Sequence, residues 1–293
     1  MEEIKKAVVA CKVFYQEILE IIEERDLKNI TLELLPQGLH NKPDSSQMKD
    51  KIQEKINELE EREDFAYIIL AYGYCSGGVE GLKTSRAKLV VPKTHDCIPL
   101  LLGESEEEKA REAEAQGEAK ADNNRDKTYF LSRGWIDCGG DVYKQHLHLT
   151  DNMQDWLDRF ALFQQQNEQA IVDWHEDDSY HFRRKFSPDE AEFISFECLK
   201  GYEAVTLIDN DNLAPIHRDY AQEKFEFVND LLEKHRGRGI EYEEIKGDLS
   251  LLAELLFPEK HSSPGTDGEI SGAEDKFLVF SPGEELKLRK HLV

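Results

Sequence analysis

Short apolar runs that each stop abruptly at a polar or glycine-rich segment set the tightest limit on what this chain can fold into. Residues 6–10, 30–35, 66–71 and 88–91 read as strands, with segments of helical spacing between them. Phe14, Ile18, Ile21 and Ile22 give residues 14–25 one apolar face. Ile52, Ile56 and Leu59 do the same for residues 45–62, with Ser45 or Ser46 as the cap. A further short helix is expected over 95–102. This alternation predicts an α/β protein whose mainly parallel sheet is covered by helices on both faces.

The second half repeats the grammar less cleanly. Helices are expected over 151–166, 188–199, 216–235 and 250–257, strands over 204–208, 242–245 and 277–280, and a Ser/Pro/Gly-rich loop over 261–272. Two similar lobes follow, 1–136 and 137–293, each long enough to bury a core. Residues 104–127 have no large apolar side chain and cannot offset their ordering entropy by burial, so a mobile surface insertion or a solvated helix is expected there.

With 61 acidic against 37 basic residues the formal net charge is −24. That charge opposes approach to phosphate backbones and anionic lipid, which argues against nucleic acid and membrane surfaces as partners. No apolar stretch approaches the roughly 20 residues of a spanning helix. The start, Met1-Glu2-Glu3-Ile4-Lys5-Lys6, has no secretory-signal character. A cytoplasmic address is the expectation, and there the five cysteines stay reduced and able to bind metal or react.

In open α/β sheets the ligand crevice lies outside the carboxyl ends of the strands. Four strand-like runs here end at Cys11, at His40, at Cys75 and at the pair His95 and Cys97. Thiolates and imidazole together suit zinc or iron better than magnesium or calcium. The expected metal ligands are Cys11, Cys75, His95 and Cys97, with His40 as a ligand or acid/base group. Asp96 either orients His95 for catalysis or caps the following turn. Cys97 opens an apolar helix whose amino terminus would favour its thiolate.

Gly77 and Gly78 allow close approach of a ligand, and successive N–H groups of their loop would suit an oxyanion. Trp135, after Gly134, is placed to wall a pocket. Each of these has a plain reading as well: a tight turn for the glycines, core packing for Cys11 and Trp135. Cys138 and Cys198 lack the strand-end context, and Cys198 is expected to be buried within an amphipathic helix. His146 and His148 read as an alternating pair able to bind metal from one strand face, with a solvent-exposed strand as the plainer reading. The P-loop, the dinucleotide fingerprint, the Gly-x-Ser-x-Gly elbow and the zinc-protease helix motif do not occur.

Five blocks together resemble a family known as domain of unknown function 1638, found in methanogenic archaea and anaerobic bacteria. They are Ala10-Cys11-Lys12-Val13, Gly38-Leu39-His40-Asn41-Lys42-Pro43, residues 73–82 around Cys75, residues 95–103 around Cys97, and Gly134-Trp135-Ile136. The second half matches more loosely, through Leu207-Ile208-Asp209 and residues 247–252. The resemblance implies a Rossmann-like α/β protein, often encoded near corrinoid-dependent methyl-transfer systems, with no activity established for the family. The acidic stretch after Gly103 departs from the family pattern, as does Asn210-Asp211-Asn212, where Thr-Gly is usual after Asp209.

The expectation is therefore a metal-binding protein, with zinc favoured over iron, serving one-carbon or methyl-transfer metabolism as an enzyme or accessory factor. Its partner would be a small-molecule substrate or a corrinoid methyl-transfer protein. Two alternatives stand beside it. One is a metal-independent enzyme in which Cys75 or Cys97 is a nucleophile or redox thiol with His95 or His40 as base. The other is a non-catalytic module in which Gly77, Gly78 and Trp135 shape a pocket for a corrinoid cofactor or a protein.

Overall fold

The computed structural model describes residues 4–41, 45–103, 127–138, 141–150, 152, 186–260 and 276–291. The chain forms two compact units, one built from residues 1–104 and 248–293 and the other from 105–247. They are not consecutive halves. The boundary expected near 136 falls inside the second unit, because the carboxyl-terminal segment returns to the first.

The first unit is built on five strands: β1 (Lys6–Cys11), β2 (Ile30–Leu35), β3 (Tyr67–Ala71), β4 (Lys88–Pro92) and β8 (Phe277–Phe280). Their order is β2-β1-β3-β4-β8, with the first four parallel and β8 antiparallel at the edge. Every residue of β1 and β3 is buried, as expected of central strands in a parallel sheet covered on both faces. Between the strands run α1 (Tyr15–Glu24), α2 (Ser45–Arg62), α3 (Pro99–Leu102) and, in the returning segment, α8 (Ser250–Leu255). Ile18 and Ile21 bury the inner face of α1; Met48, Ile52, Ile56 and Leu59 do so for α2.

Strand order decides where this unit keeps its crevice. From β1 the chain goes out to β2 on one side, then crosses to β3 on the other. The carboxyl ends of β1 and β3 therefore flank a topological switch point, where connections leave in opposite directions and open a gap. Cys11 is the last residue of β1, and Tyr72 to Cys75 follow β3 directly.

The second unit has three parallel strands in the order β5-β6-β7: β5 (Thr128–Leu131), β6 (Ala204–Asp209) and β7 (Glu241–Lys246). With them go α4 (Arg133–Cys138), α5 (Val142–Leu149), α6 (Pro188–Leu199) and α7 (Pro215–Arg236). Leu131, Ile136, Val205, Leu207, Tyr220 and Ala221 form one core cluster, and Leu199, Val228, Leu231 and Leu232 another. Edge strand β7, Glu-Tyr-Glu-Glu-Ile-Lys, is charged and largely exposed, which discourages pairing with other chains.

The expected helix at 151–166 and the acidic stretch 104–126 lie outside the described residues. Among the described residues no helix is long and apolar enough to cross a membrane.

Candidate functional site

Two loops at the switch-point end of the first sheet are stitched together by their backbones. The Tyr74 N–H donates to the Thr94 carbonyl at 2.9 Å and the Cys75 N–H to the His95 carbonyl at 3.1 Å. Gly73 makes this approach possible, since a Cβ there would lie 2.3 Å from the Asp96 carbonyl oxygen. Gly78 serves the other side of its loop, where a Cβ would meet the Met48 sulfur of α2 at 2.5 Å. Cys75 itself has φ +45°, a left-handed conformation that costs a side-chain-bearing residue about 1–2 kcal/mol. Strain of this kind tends to be kept where a side chain must be aimed.

The result is a thiol pair, with Cys75 Sγ 3.8 Å from Cys97 Sγ. None of the five cysteines is in a disulfide. The pair is electrostatically unequal. Hydrogen bonding to Cys97, burial and the neighbouring sulfurs push the Cys75 thiol well above its ordinary value. Cys97 goes the other way: the Cys75 S–H and the Gly73 N–H outweigh burial and lower it. Cys97 is the more acidic of the two thiols.

Tyr72, the residue between β3 and Gly73, joins this group. Burial first, and then the charges of Cys11, Cys97 and Cys75, raise its phenol well above the ordinary value. Its hydroxyl is buried and has no hydrogen-bond partner among the described residues; the Thr94 hydroxyl, on the opposite loop, is in the same condition. Neither group stood out in the sequence. A tyrosine closing an apolar strand at the sheet centre was the available signal.

The expected site is thus assembled in part. Cys75 and Cys97 meet, and Cys11 lies within their electrostatic neighbourhood. The side chain of His95 is exposed, and its carbonyl is what engages Cys75. Among the described residues no three His, Cys, Asp or Glu side chains stand close enough together to hold an ion. His40 lies in a 3-10 turn, Gln37–Asn41, after β2, and its side chain is outside the described set. Asp96 takes the capping role: its Oδ1 accepts the Ile98 N–H at 2.8 Å.

Several finer expectations are corrected. The helix after Cys97 begins only at Pro99 and has 4 residues, too short for its dipole to govern the thiol, and Gly73 supplies the amide instead. Glycine-loop amides expected to meet an oxyanion are committed internally, Gly77 N–H to the Tyr74 carbonyl at 2.9 Å and Gly78 N–H to the Cys75 carbonyl at 3.1 Å. Trp135 packs on the Leu131 cluster of the second unit. His146 and His148 sit on helix α5, not a strand, and the Nδ1 of His146 is 3.1 Å from Ser195 Oγ. Cys198 is exposed, because the buried face of α6 runs through Ala191, Ser195 and Leu199 and misses it.

The second unit hides a polar cluster that hydropathy gave no reason to expect. Asp141 accepts the Tyr220 hydroxyl at 2.5 Å and the Lys144 N–H at 2.9 Å and forms an ion pair with the Lys224 ammonium at 3.0 Å, all withdrawn from water. Lys224 Nζ also lies 3.3 Å from the centre of the Tyr129 ring, and Lys144 Nζ donates to the Ile136 carbonyl. Burial lowers Lys144 to about 7 and Lys224 to about 8, against the opposing pull of Asp141. Beside them His217 accepts the Ala214 N–H on Nδ1 at 2.8 Å, which leaves the proton on Nε2, 3.1 Å from Asp137. One ring nitrogen thus closes the start of α7 and the other ties that helix to α4.

A family model described as "Protein of unknown function (DUF1638)" matches residues 34–256. No curated protein and no solved structure matches the chain.

Proposed function

The chain belongs to the DUF1638 family, and from that premise we propose that it is a metal-binding protein whose site is the thiol pair at the β1/β3 switch point. One observation carries this reading: the 3.8 Å separation of Cys75 Sγ and Cys97 Sγ. Two thiolates bound about 2.3 Å from a tetrahedral ion stand about 3.8 Å apart. Cys11, at the end of the neighbouring strand β1, is the further donor of this reading. A fourth position left to substrate would make the site an open one, in which a zinc or iron Lewis acid activates a thiol or water.

The family resemblance points the reading toward corrinoid-linked one-carbon or methyl-transfer metabolism, with a small molecule or a corrinoid methyl-transfer protein as partner. Cobalt(II) substitution tests the site itself. Metal-free protein titrated with cobalt should develop thiolate-to-cobalt charge-transfer absorption that Cys75→Ser and Cys97→Ser each weaken and Cys198→Ser leaves intact. Absorption insensitive to both site variants would sink the assignment.

A second reading has its own support in the opposed acidities of the pair. A thiolate at Cys97 with a protonated Cys75 beside it is also the arrangement of a nucleophilic or redox dithiol. The two readings part on whether protein purified without added metal already holds an ion.

A further inference from the structure

Both polar atoms of one side chain in the second unit are buried with their hydrogen-bonding capacity unused. Asn210 directly follows β6, the middle strand of β5-β6-β7. The residue is half-buried, yet its Oδ1 and Nδ2 are sealed from water and neither has a partner among the described residues. A buried donor or acceptor left unmet is costly, and leucine would fill a similar volume without that cost. The place is the carboxyl end of a parallel sheet, where open α/β folds bind their ligands. Gly247, the residue after β7, makes room for the amide: a Cβ there would overlap the Asn210 Oδ1 and stand 2.6 Å from its Cγ. The Gly247 N–H donates to the Asp209 carbonyl at 2.8 Å, which fastens the ends of β6 and β7 together beside the amide.

We propose that Asn210 is the ligand-contacting residue of a second binding site, which takes an uncharged molecule with an amide-type edge: an N–H donor and a carbonyl oxygen side by side, as in a lactam or a primary carboxamide. Hydrogen-bond complementarity selects the edge. The asparagine amide carries the same two functions and meets such an edge through two parallel hydrogen bonds, as asparagine does when it reads adenine. Charge pairing around the loop selects an uncharged molecule. Arg218 donates to Asp209 at 2.8 Å and to Glu244 at 2.7 to 3.1 Å, Lys246 pairs with Asp211, and Arg133 donates to the Asn212 carbonyl at 2.9 Å. These cations are already engaged, so a carboxylate or phosphate would have to break one of the pairs and a neutral edge would not. The site belongs wholly to the unit 105–247 and is independent of the thiol pair.

The test uses 15N-labelled full-length protein, with the side-chain NH2 signals of Asn210 identified by their loss in Asn210→Leu. The probes are 2-pyridone, which presents N–H and C=O side by side, and 1-methyl-2-pyridone, in which a methyl group replaces that hydrogen. 2-Pyridone should shift the Asn210 NH2 signals saturably, and the methylated probe should bind at least tenfold more weakly, the worth of one hydrogen bond. In Asn210→Leu, 2-pyridone should lose at least the same factor, followed through the backbone amide of Gly247. Gly247→Ala, which evicts the amide, should lose it too. Without ligand, Asn210→Leu should unfold at the wild-type urea midpoint or above it. Equal binding of the two probes, unchanged affinity in Asn210→Leu, no saturable shift, or a variant that unfolds at lower urea would each overturn the proposal. A bound-water cross-peak to the Asn210 NH2 that neither probe displaces would make a buried water the partner and would overturn it as well.

Discussion

Cys75 Sγ and Cys97 Sγ face each other at 3.8 Å across two loops whose backbones are already bonded, so the pair is held by main chain before either sulfur does any chemistry. The first consequence concerns reactivity. The Cys75 S–H is the largest influence lowering Cys97, so its removal should raise the Cys97 pKa. In metal-free protein, iodoacetamide should modify Cys97 with a midpoint below that of an unperturbed thiol. The midpoint should move up in Cys75→Ala. Equal midpoints in wild type and variant would mean that the two sulfurs do not interact.

Backbone strain at Cys75 gives a test independent of sulfur chemistry. At φ +45° glycine is at ease and alanine is not. Metal-free Cys75→Gly should be more stable than Cys75→Ala by about 1 kcal/mol in urea unfolding. Equal stabilities would show that the residue does not hold this conformation in solution.

Glu60 fixes the turn that launches β4. Its carboxylate accepts the N–H groups of Ser85, Arg86 and Ala87 at 2.7 to 3.0 Å. Burial alone would raise this carboxyl, and the three amides together overcome it and lower it. Glu60→Ala should therefore destabilise the protein by about 2–3 kcal/mol. A lowered carboxyl contributes stability above its unfolded pKa, near 4.3, and loses it as pH falls through the folded value. The gap between wild type and variant should narrow on acidification below about pH 4, as read by urea midpoints.

The lysine pair predicts a slope of the same sign at the other end of the scale. Lys144 releases its proton near 7 and Lys224 near 8 in the folded state, against 10.5 ordinarily. Between those values the unfolded chain binds more protons, so stability should rise with pH, by roughly 5 kcal/mol from pH 7 to pH 9.5. Tryptophan fluorescence follows the relevant unit, because Trp135, Trp156 and Trp174 all belong to 105–247. Lys144→Met should flatten the rise. A wild-type profile no steeper than that of Lys144→Met would contradict the buried-amine description.

Much of the first unit was legible because its physics is local. The buried runs at β1 and β3 and the spacing of Ile52, Ile56 and Leu59 on α2 carry their own periodicity, so strands and helices emerge within a residue or two. Cys75 and Cys97 could be placed at strand ends by the same logic. Their meeting depends on Gly73 touching Asp96 and on which strands become neighbours, and a linear pattern does not encode that. For the same reason β8 was readable as a strand while its partner, β4 of the other chain end, was not. Lys144 and Lys224 were missed because a lysine in sequence reads as surface; only three-dimensional contact with Asp141 and the rings of Tyr220 and Tyr129 makes its burial tolerable.

Elemental analysis of protein purified without oxygen or added metal tests the central claim most directly. A thiolate metal site predicts near-stoichiometric zinc or iron in wild type, falling sharply in both Cys75→Ser and Cys97→Ser while Cys198→Ser keeps its full content. Folded wild-type protein without metal, or metal retained in both site variants, would contradict it.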